Sequence, residues 1–162
     1  MTEPGFEAAS ALLDLLRAQG LTIATAESCT GGLVSAALTA VPGSSDAVLA
    51  GFVTYSNAMK TRMLGVPEAV LARVGAVSED CARRMAEGAL EGSGAAIAVS
   101  TTGIAGPGGG SAEKPVGLVF IGAARRGGGT TVERHVFPGD RAAVRAATVE
   151  AALRLAAAVA RG

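Results

Sequence analysis

Three short apolar runs constrain this chain more than any other feature: Leu21–Ala26 (LTIATA), Val48–Tyr55 (VLAGFVTY) and Ala95–Thr101 (AAIAVST). Each is bounded by glycine, proline or hydroxyl residues, which is the pattern of buried strands. Helical patterns lie between them. Residues 6–19 place Phe6, Ala9, Leu12, Leu13 and Leu16 on one face, with Gly20 as the stop. Leu33–Ala40 reads as a small-residue helix. Ser56 caps a helix to Met63 that Gly65 stops, Pro67 opens one to about Arg73, and Ser78 caps one to about Glu91. Ser44 to Asp46 reads as loop. Strands alternating with helices pair in parallel under helical cover. Two later runs, 116–124 and 130–137, flank Gly127-Gly128-Gly129 and read as a hairpin, which turns one strand antiparallel. Asp140 opens a last helix to about Ala160, with Val144, Ala147, Ala151, Leu155 and Val159 as its inner stripe. The expected fold is α/β: a three-layer α/β/α sandwich on a mixed, mostly parallel five-stranded sheet, forming a single domain over residues 1–162.

Composition removes several functions. Fourteen basic and fourteen acidic side chains cancel, so no global field recruits nucleic acid or an anionic membrane. With no Trp and one Tyr there is no base-stacking platform. Charged, hydroxyl, glycine and proline residues interrupt every apolar stretch before the ~18 residues of a membrane span. A single histidine, His135, excludes a multi-His metal site, and it reads as a strand-surface residue. Cys29 and Cys81 follow no metal spacing and require no disulfide, and no secretory signal precedes them. No metal or cofactor is expected, and the expected setting is cytoplasmic. The Ala-rich closing helix makes a homo-oligomer, first of all a dimer, the expected assembly.

Four segments carry candidate chemistry. Ala26-Glu27-Ser28-Cys29-Thr30-Gly31-Gly32 joins a strand to a helix, where ligands bind in open α/β sheets. Ser28 there suits a nucleophile, and the N–H groups around Thr30, Gly31 and Gly32 suit an oxyanion. Ser28 or Thr30 as an ordinary N-cap is the plainer alternative. Cys29 is a rival nucleophile or a small buried hydrophobe. A serine nucleophile needs a base, and the chain is short of histidine. Lys60, in Thr54-Tyr55-Ser56-Asn57-Ala58-Met59-Lys60, can serve if burial lowers its pKa. The chain uses Arg for all but two of its fourteen cations, yet keeps Lys at 60, and only Lys can lose its proton. The phenol of Tyr55 suits proton relay or orientation. A solvated helix face for Lys60 and simple packing for Tyr55 are the alternatives. The third segment, Thr101 to Gly110, is a backbone-rich loop suited to a phosphate, a ribose or a small polar ring. It lacks the P-loop and dinucleotide patterns, and a long connection is its plainer reading. Lys114 suits a salt-bridged brace of this loop. In the fourth, Arg141 and Arg145 share a face at a helix start, as a phosphate clamp or a solvated face.

Together AESCTGG, GFVTYSNAMK, GAVSEDCA, TTGIAGPGGGSAEKPVG and GDRAAVR resemble the CinA C-terminal domain family over nearly the whole chain, from about Phe6 to Ala160. The resemblance implies the three-layer fold just described. Through the family's stand-alone nicotinamide-nucleotide amidases, it also implies hydrolysis of the carboxamide of nicotinamide mononucleotide, a small phosphorylated nucleotide. It casts Ser28 as nucleophile with Lys60 and Tyr55 as its activating partners. Thr30, Gly31, Gly32, Thr102, Gly103, Gly106, Gly109 and Gly110 become substrate contacts, and Arg141 or Arg145 a phosphate contact. Gly108 stands where the family commonly has an acidic residue, and Thr102 where it commonly has Ser. Larger members add an N-terminal domain, whose activities are not expected here. A non-catalytic nucleotide-binding module, or an amidase for another amide, is the competing expectation.

Overall fold

The structure, a computed structural model, describes residues 4–162. The elements run α1 (Phe6–Gln19), β1 (Ile23–Glu27), α2 (Leu33–Thr39), a 3-10 turn (Ser44–Asp46), β2 (Val48–Val53), α3 (Asn57–Leu64), α4 (Glu68–Val74) and α5 (Glu79–Ser93). They continue with β3 (Ile97–Gly103), β4 (Leu118–Arg125), β5 (Thr130–Val136) and α6 (Arg141–Arg161). The five strands form one sheet in the order β2-β1-β3-β4-β5. β1 pairs in parallel with β2 and β3, while β4 is antiparallel to both of its neighbours. Four strands therefore run one way and β4 alone runs against them, as the late hairpin implied. Helices α1, α2 and α6 cover one face of the sheet and α3, α4 and α5 the other, giving the three expected layers.

Local chemistry sets most boundaries. Ser56 accepts from Met59 N at 3.2 Å, Ser78 from Cys81 N at 3.2 Å and Asp140 from Ala143 N at 2.9 Å, so each caps the helix that follows it. Gly20 and Gly65 stop α1 and α3 in the left-handed conformation. Three expectations need correction. The run 48–55 is not strand throughout: β2 ends at Val53, and its residues alternate half-buried with exposed. It is an edge strand with one neighbour, and Thr54 and Tyr55 leave the ladder with their carbonyls free for another partner. Residues 44–46 form a helical turn rather than irregular loop. The inner face of α6 carries Val144, Thr148, Ala152, Leu155, Ala156 and Ala160, with Val149 and Leu153 beside it. Ala147, Ala151 and Val159 are only half-buried, because α6 is wedged between the sheet and α1 and buries a wider, rotated face.

The order 2-1-3 means that the chain leaves β1 towards one side of the sheet and returns to pair on the other. The carboxyl ends of β1 and β3 thus form the switch point, where a crevice opens. Behind the crevice, α3 and α5 cross closely. A Cβ added at Gly88 of α5 would overlap the carbonyl oxygen of Leu64, the last residue of α3. Gly88→Ala should therefore destabilise the fold by about 1–3 kcal/mol, read as a drop of several degrees in the thermal midpoint. An unchanged midpoint would contradict this crossing.

Candidate active site

The turn after β1 is held by a residue that the sequence did not single out. Glu27 is fully buried. Its Oε1 accepts from Gly32 N at 3.2 Å and Val34 N at 2.9 Å, its Oε2 accepts from Ser35 N at 3.0 Å, and Thr30 Oγ1 donates to Oε1 as well. The carboxylate satisfies the orphan N–H groups of the α2 N-terminus from the preceding strand, doing the work of a side-chain cap. Neither Ser28 nor Thr30 caps α2: its N-cap is Gly32, at φ 107°. Gly31, at φ 55°, and Gly32 lie in the left-handed region, which lets the chain double back towards Glu27. Ser28 N donates to Thr101 O at 3.0 Å, and the Thr30 and Thr101 hydroxyls lie 2.8 Å apart, so the turn is tied to β3. The expected set of oxyanion donors changes accordingly. Gly31 N–H is bonded to Ser28 O and Gly32 N–H to Glu27, whereas the N–H groups of Cys29 and Thr30 donate to no oxygen among the described residues.

Ser28 faces Lys60. Lys60 Nζ lies 3.0 Å from Ser28 Oγ, 2.8 Å from Thr54 O and 3.1 Å from Tyr55 O. Its side chain is 1% exposed, so it does not lie on a solvated helix face. None of the ion pairs among the described residues includes it. Burial without a carboxylate holds this amine below its ordinary value of 10.5, against a weaker opposing pull from Cys81 and Cys29. Burial also pushes the Cys29 thiol up to about 11, so the rival nucleophile stays protonated at neutral pH. Cys81 is likewise buried and pushed up to about 11, and the two thiols form no disulfide.

A cavity of about 310 Å³ opens over this pair. Its size falls at the lower end of small-molecule pockets. Ser28, Cys29 and Lys60 line its floor side, and Thr102, Gly103, Gly106, Gly108 and Gly109 of the β3 end and following loop line one wall. Thr102 donates its hydroxyl to Ala76 O at 2.8 Å, which ties β3 to the α4–α5 connection. Gly110 does not line the cavity: a Cβ there would press on Val116 N at 2.8 Å, so it serves the fold of the loop. Space is open around Gly108, where an added Cβ would meet nothing within 4 Å. Lys114 braces the loop as expected, but through the Val74 carbonyl at 2.6 Å rather than a carboxylate. Asn57, at the start of α3, also lines the cavity, and nothing in the sequence pattern assigns it a role of its own.

Tyr55 and the two arginines separate into different roles. The Tyr55 carbonyl holds Lys60, while its hydroxyl accepts from Arg141 Nη2 at 3.2 Å and bonds neither Ser28 nor Lys60. Arg141 also donates through Nη1 to Gly106 O at 2.8 Å and lines the cavity. Arg145 is directed elsewhere: its Nε reaches Cys29 O at 3.1 Å and its Nη2 reaches Thr30 O at 3.1 Å, bracing the serine turn from behind. His135 sits on β5 against Glu133 and Phe137, outside the cavity. Among the described residues no group of His, Cys, Asp or Glu is placed to hold a metal ion, and no helix is long and apolar enough to cross a membrane.

Fold and site together define an α/β domain that presents a serine to a buried, unpaired lysine at the switch point of its sheet. Comparison with known proteins agrees with the fold. The family model for the CinA C-terminal domain matches residues 6–160, and the chain belongs to that family. It is 52% identical over 147 residues to the nicotinamide-nucleotide amidohydrolase PncC of Pseudomonas putida, covering 90% of each chain. A CinA-like protein of Akkermansia muciniphila is 55% identical over 138 residues, which cover 85% of this chain and 33% of that protein. The chain thus spans about a third of the length of the longer curated relatives it matches. The crystal structure of the competence/damage inducible protein CihA of Agrobacterium tumefaciens superposes with a TM-score of 0.94 at 46% identity, covering 97% of this chain and 95% of that one. A CinA superfamily protein from Klebsiella pneumoniae gives 0.92 at 36% identity, covering 96% and 97%.

Glu27 provides a test of how the turn is built. Glu27→Gln keeps the shape but turns an NH2 towards backbone donors, leaving buried groups unpaired. Thermal or urea unfolding should show a loss of about 1–3 kcal/mol. Wild-type stability in this variant would mean that the carboxylate does not anchor α2.

Proposed function

We propose that the domain hydrolyses the carboxamide of nicotinamide mononucleotide, giving nicotinate mononucleotide and ammonia. The observation that carries the reading is the contact of 3.0 Å between Ser28 Oγ and the buried Lys60 Nζ at the floor of a small cavity. The full-length similarity to an amidohydrolase named for this class of substrate supports it.

The geometry suits a neutral lysine. A neutral amine has two N–H donors and one lone pair. With the donors on the Thr54 and Tyr55 carbonyls, the lone pair is left for the Ser28 hydroxyl. In the proposed reaction Lys60 takes the Ser28 proton as Oγ attacks the amide carbon. The Cys29 and Thr30 N–H groups receive the oxyanion, and each such donor contributes about 3 kcal/mol. The C–N bond breaks as Lys60 returns the proton to the departing nitrogen, and ammonia leaves. Water, deprotonated by Lys60, then attacks the acyl-serine; the ester C–O bond breaks as Lys60 returns that proton to Ser28 Oγ, and the acid is released. The cationic pyridinium ring withdraws electrons from the amide and assists the attack. Arg141, at the cavity wall, meets the phosphate, and Arg145 supports the turn without touching substrate. Tyr55 acts through its carbonyl, which orients the amine.

The pH dependence follows from the direction of the Lys60 shift. The base must be neutral, so the rate rises as pH rises through the folded-state value, which lies below 10.5. The same shift opposes folding. An unfolded lysine binds its proton more tightly, so Lys60 costs stability below its folded-state value, and that cost fades as pH approaches 10.5.

Purified protein should release ammonia from nicotinamide mononucleotide and not from nicotinamide. Ser28→Ala should abolish release with the fold intact. Lys60→Met, which fills the same space without an amine, should lower kcat by about 10²–10⁴-fold. Arg141→Ala should raise KM for the mononucleotide, whereas Arg145→Ala should lower the thermal midpoint. Ammonia release retained by Ser28→Ala would overturn the assignment. Tight binding of the mononucleotide without turnover would point instead to a binding module.

A further inference from the structure

Arg141 and the chain's single tyrosine form a bridge across the mouth of the cavity. Arg141 Nη1 donates to the Gly106 carbonyl at 2.8 Å, on the glycine-loop wall. Arg141 Nη2 donates to the Tyr55 hydroxyl at 3.2 Å, on the opposite wall where β2 runs into α3. Both side chains are exposed, Tyr55 at 63%, while Lys60 below them is at 1%. The bridge is therefore at the rim and the serine–lysine pair at the floor. Its two ends are unequal. The end on Gly106 is the shorter and rests on backbone, whereas the end on Tyr55 joins a full positive charge to a neutral phenol. An anion competes with that phenol on favourable terms, because a phosphate adds the attraction of opposite charges and can take two parallel N–H bonds from a guanidinium, whereas the phenol oxygen takes one. An uncharged molecule has no such advantage.

We infer that the Arg141–Tyr55 bridge sets the requirement for a phosphorylated substrate: it obstructs the cavity to uncharged amides, and a substrate phosphate opens it by drawing the Arg141 guanidinium off the phenol. The nature of the amide rests on the reading in the preceding subsection, while the opening by an anion is a property of the bridge itself. Arg141 is then more than a handle. A contact residue adds affinity for the mononucleotide and does nothing to the unphosphorylated compound. A bridge residue also holds the unphosphorylated compound back.

Two measurements on the full chain separate these outcomes. With one Tyr and no Trp, intrinsic fluorescence reports on Tyr55 alone. Inorganic phosphate titrated at constant ionic strength should change that emission saturably in the wild type and leave Arg141→Ala unaffected. A flat titration, or the same change in the variant, overturns the inference. The second measurement uses Tyr55→Phe, which keeps the ring, the backbone carbonyl on Lys60 and the Arg141 bond to Gly106. Removing one hydrogen bond should raise kcat/KM on nicotinamide riboside by about tenfold, with a smaller change on the mononucleotide. An unchanged or lower value on the riboside overturns the inference, and a fall on both substrates assigns the phenol to the chemistry instead. The phosphate titration needs no turnover, so a protein that shows the emission change but releases no ammonia refutes the amidase reading and keeps the bridge.

Discussion

Everything at the carboxyl edge of this sheet is arranged around one buried amine. Lys60 Nζ is surrounded by oxygens from three places: Ser28 after β1, and Thr54 and Tyr55 after β2. To supply those carbonyls, β2 must leave the ladder at Val53, and α3 must begin at once so that Lys60 comes round within its first turns. Ser56 caps that helix and fixes where it starts. With no carboxylate partner among the described residues, the amine has acceptors enough to be satisfied but no counter-charge there to hold it protonated. This favours the neutral form, and the proposed hydrolysis requires that form.

A second buried group faces the opposite problem. Glu27 lies one residue before the serine and is supplied with donors instead of acceptors: a hydroxyl and three N–H groups of the turn and of α2. The positive end of α2 is therefore taken up by Glu27. The N–H groups of Cys29 and Thr30, immediately after the serine, donate to no oxygen among the described residues. Arg145 braces the same two residues through their carbonyls, so the donors that would hold an oxyanion belong to a segment pinned from both sides.

The fold was largely legible because its signals are local. Alternating apolar runs, capping serines and the glycine stops carry the element order, and the hairpin identifies the one reversed strand. The α6 stripe was misread because a helix wedged between a sheet and another helix buries more than one edge of its surface. Ser28 and Lys60 were legible because each stands in a distinctive segment, and because Lys is rare in a chain that otherwise uses Arg. Three features were not. The part Tyr55 plays beside Lys60 is carried by a backbone carbonyl, which no side-chain pattern reveals. Arg141 and Arg145, four residues apart on one helix face, differ only in which wall they reach. Glu27 reads as an ordinary strand-end acid until the backbone donors of α2 are seen around it.

The chain holds two lysines, Lys60 and Lys114, so ε-carbon-13 lysine gives two side-chain signals, and Lys114→Arg assigns them. Titrating them by NMR tests the central claim most directly, without substrate. The account requires the Lys60 signal to titrate at a midpoint below 10.5 in the folded protein, because burial disfavours its charged form. A midpoint at or above 10.5 would mean that Lys60 is a structural cation rather than a base and would contradict the account.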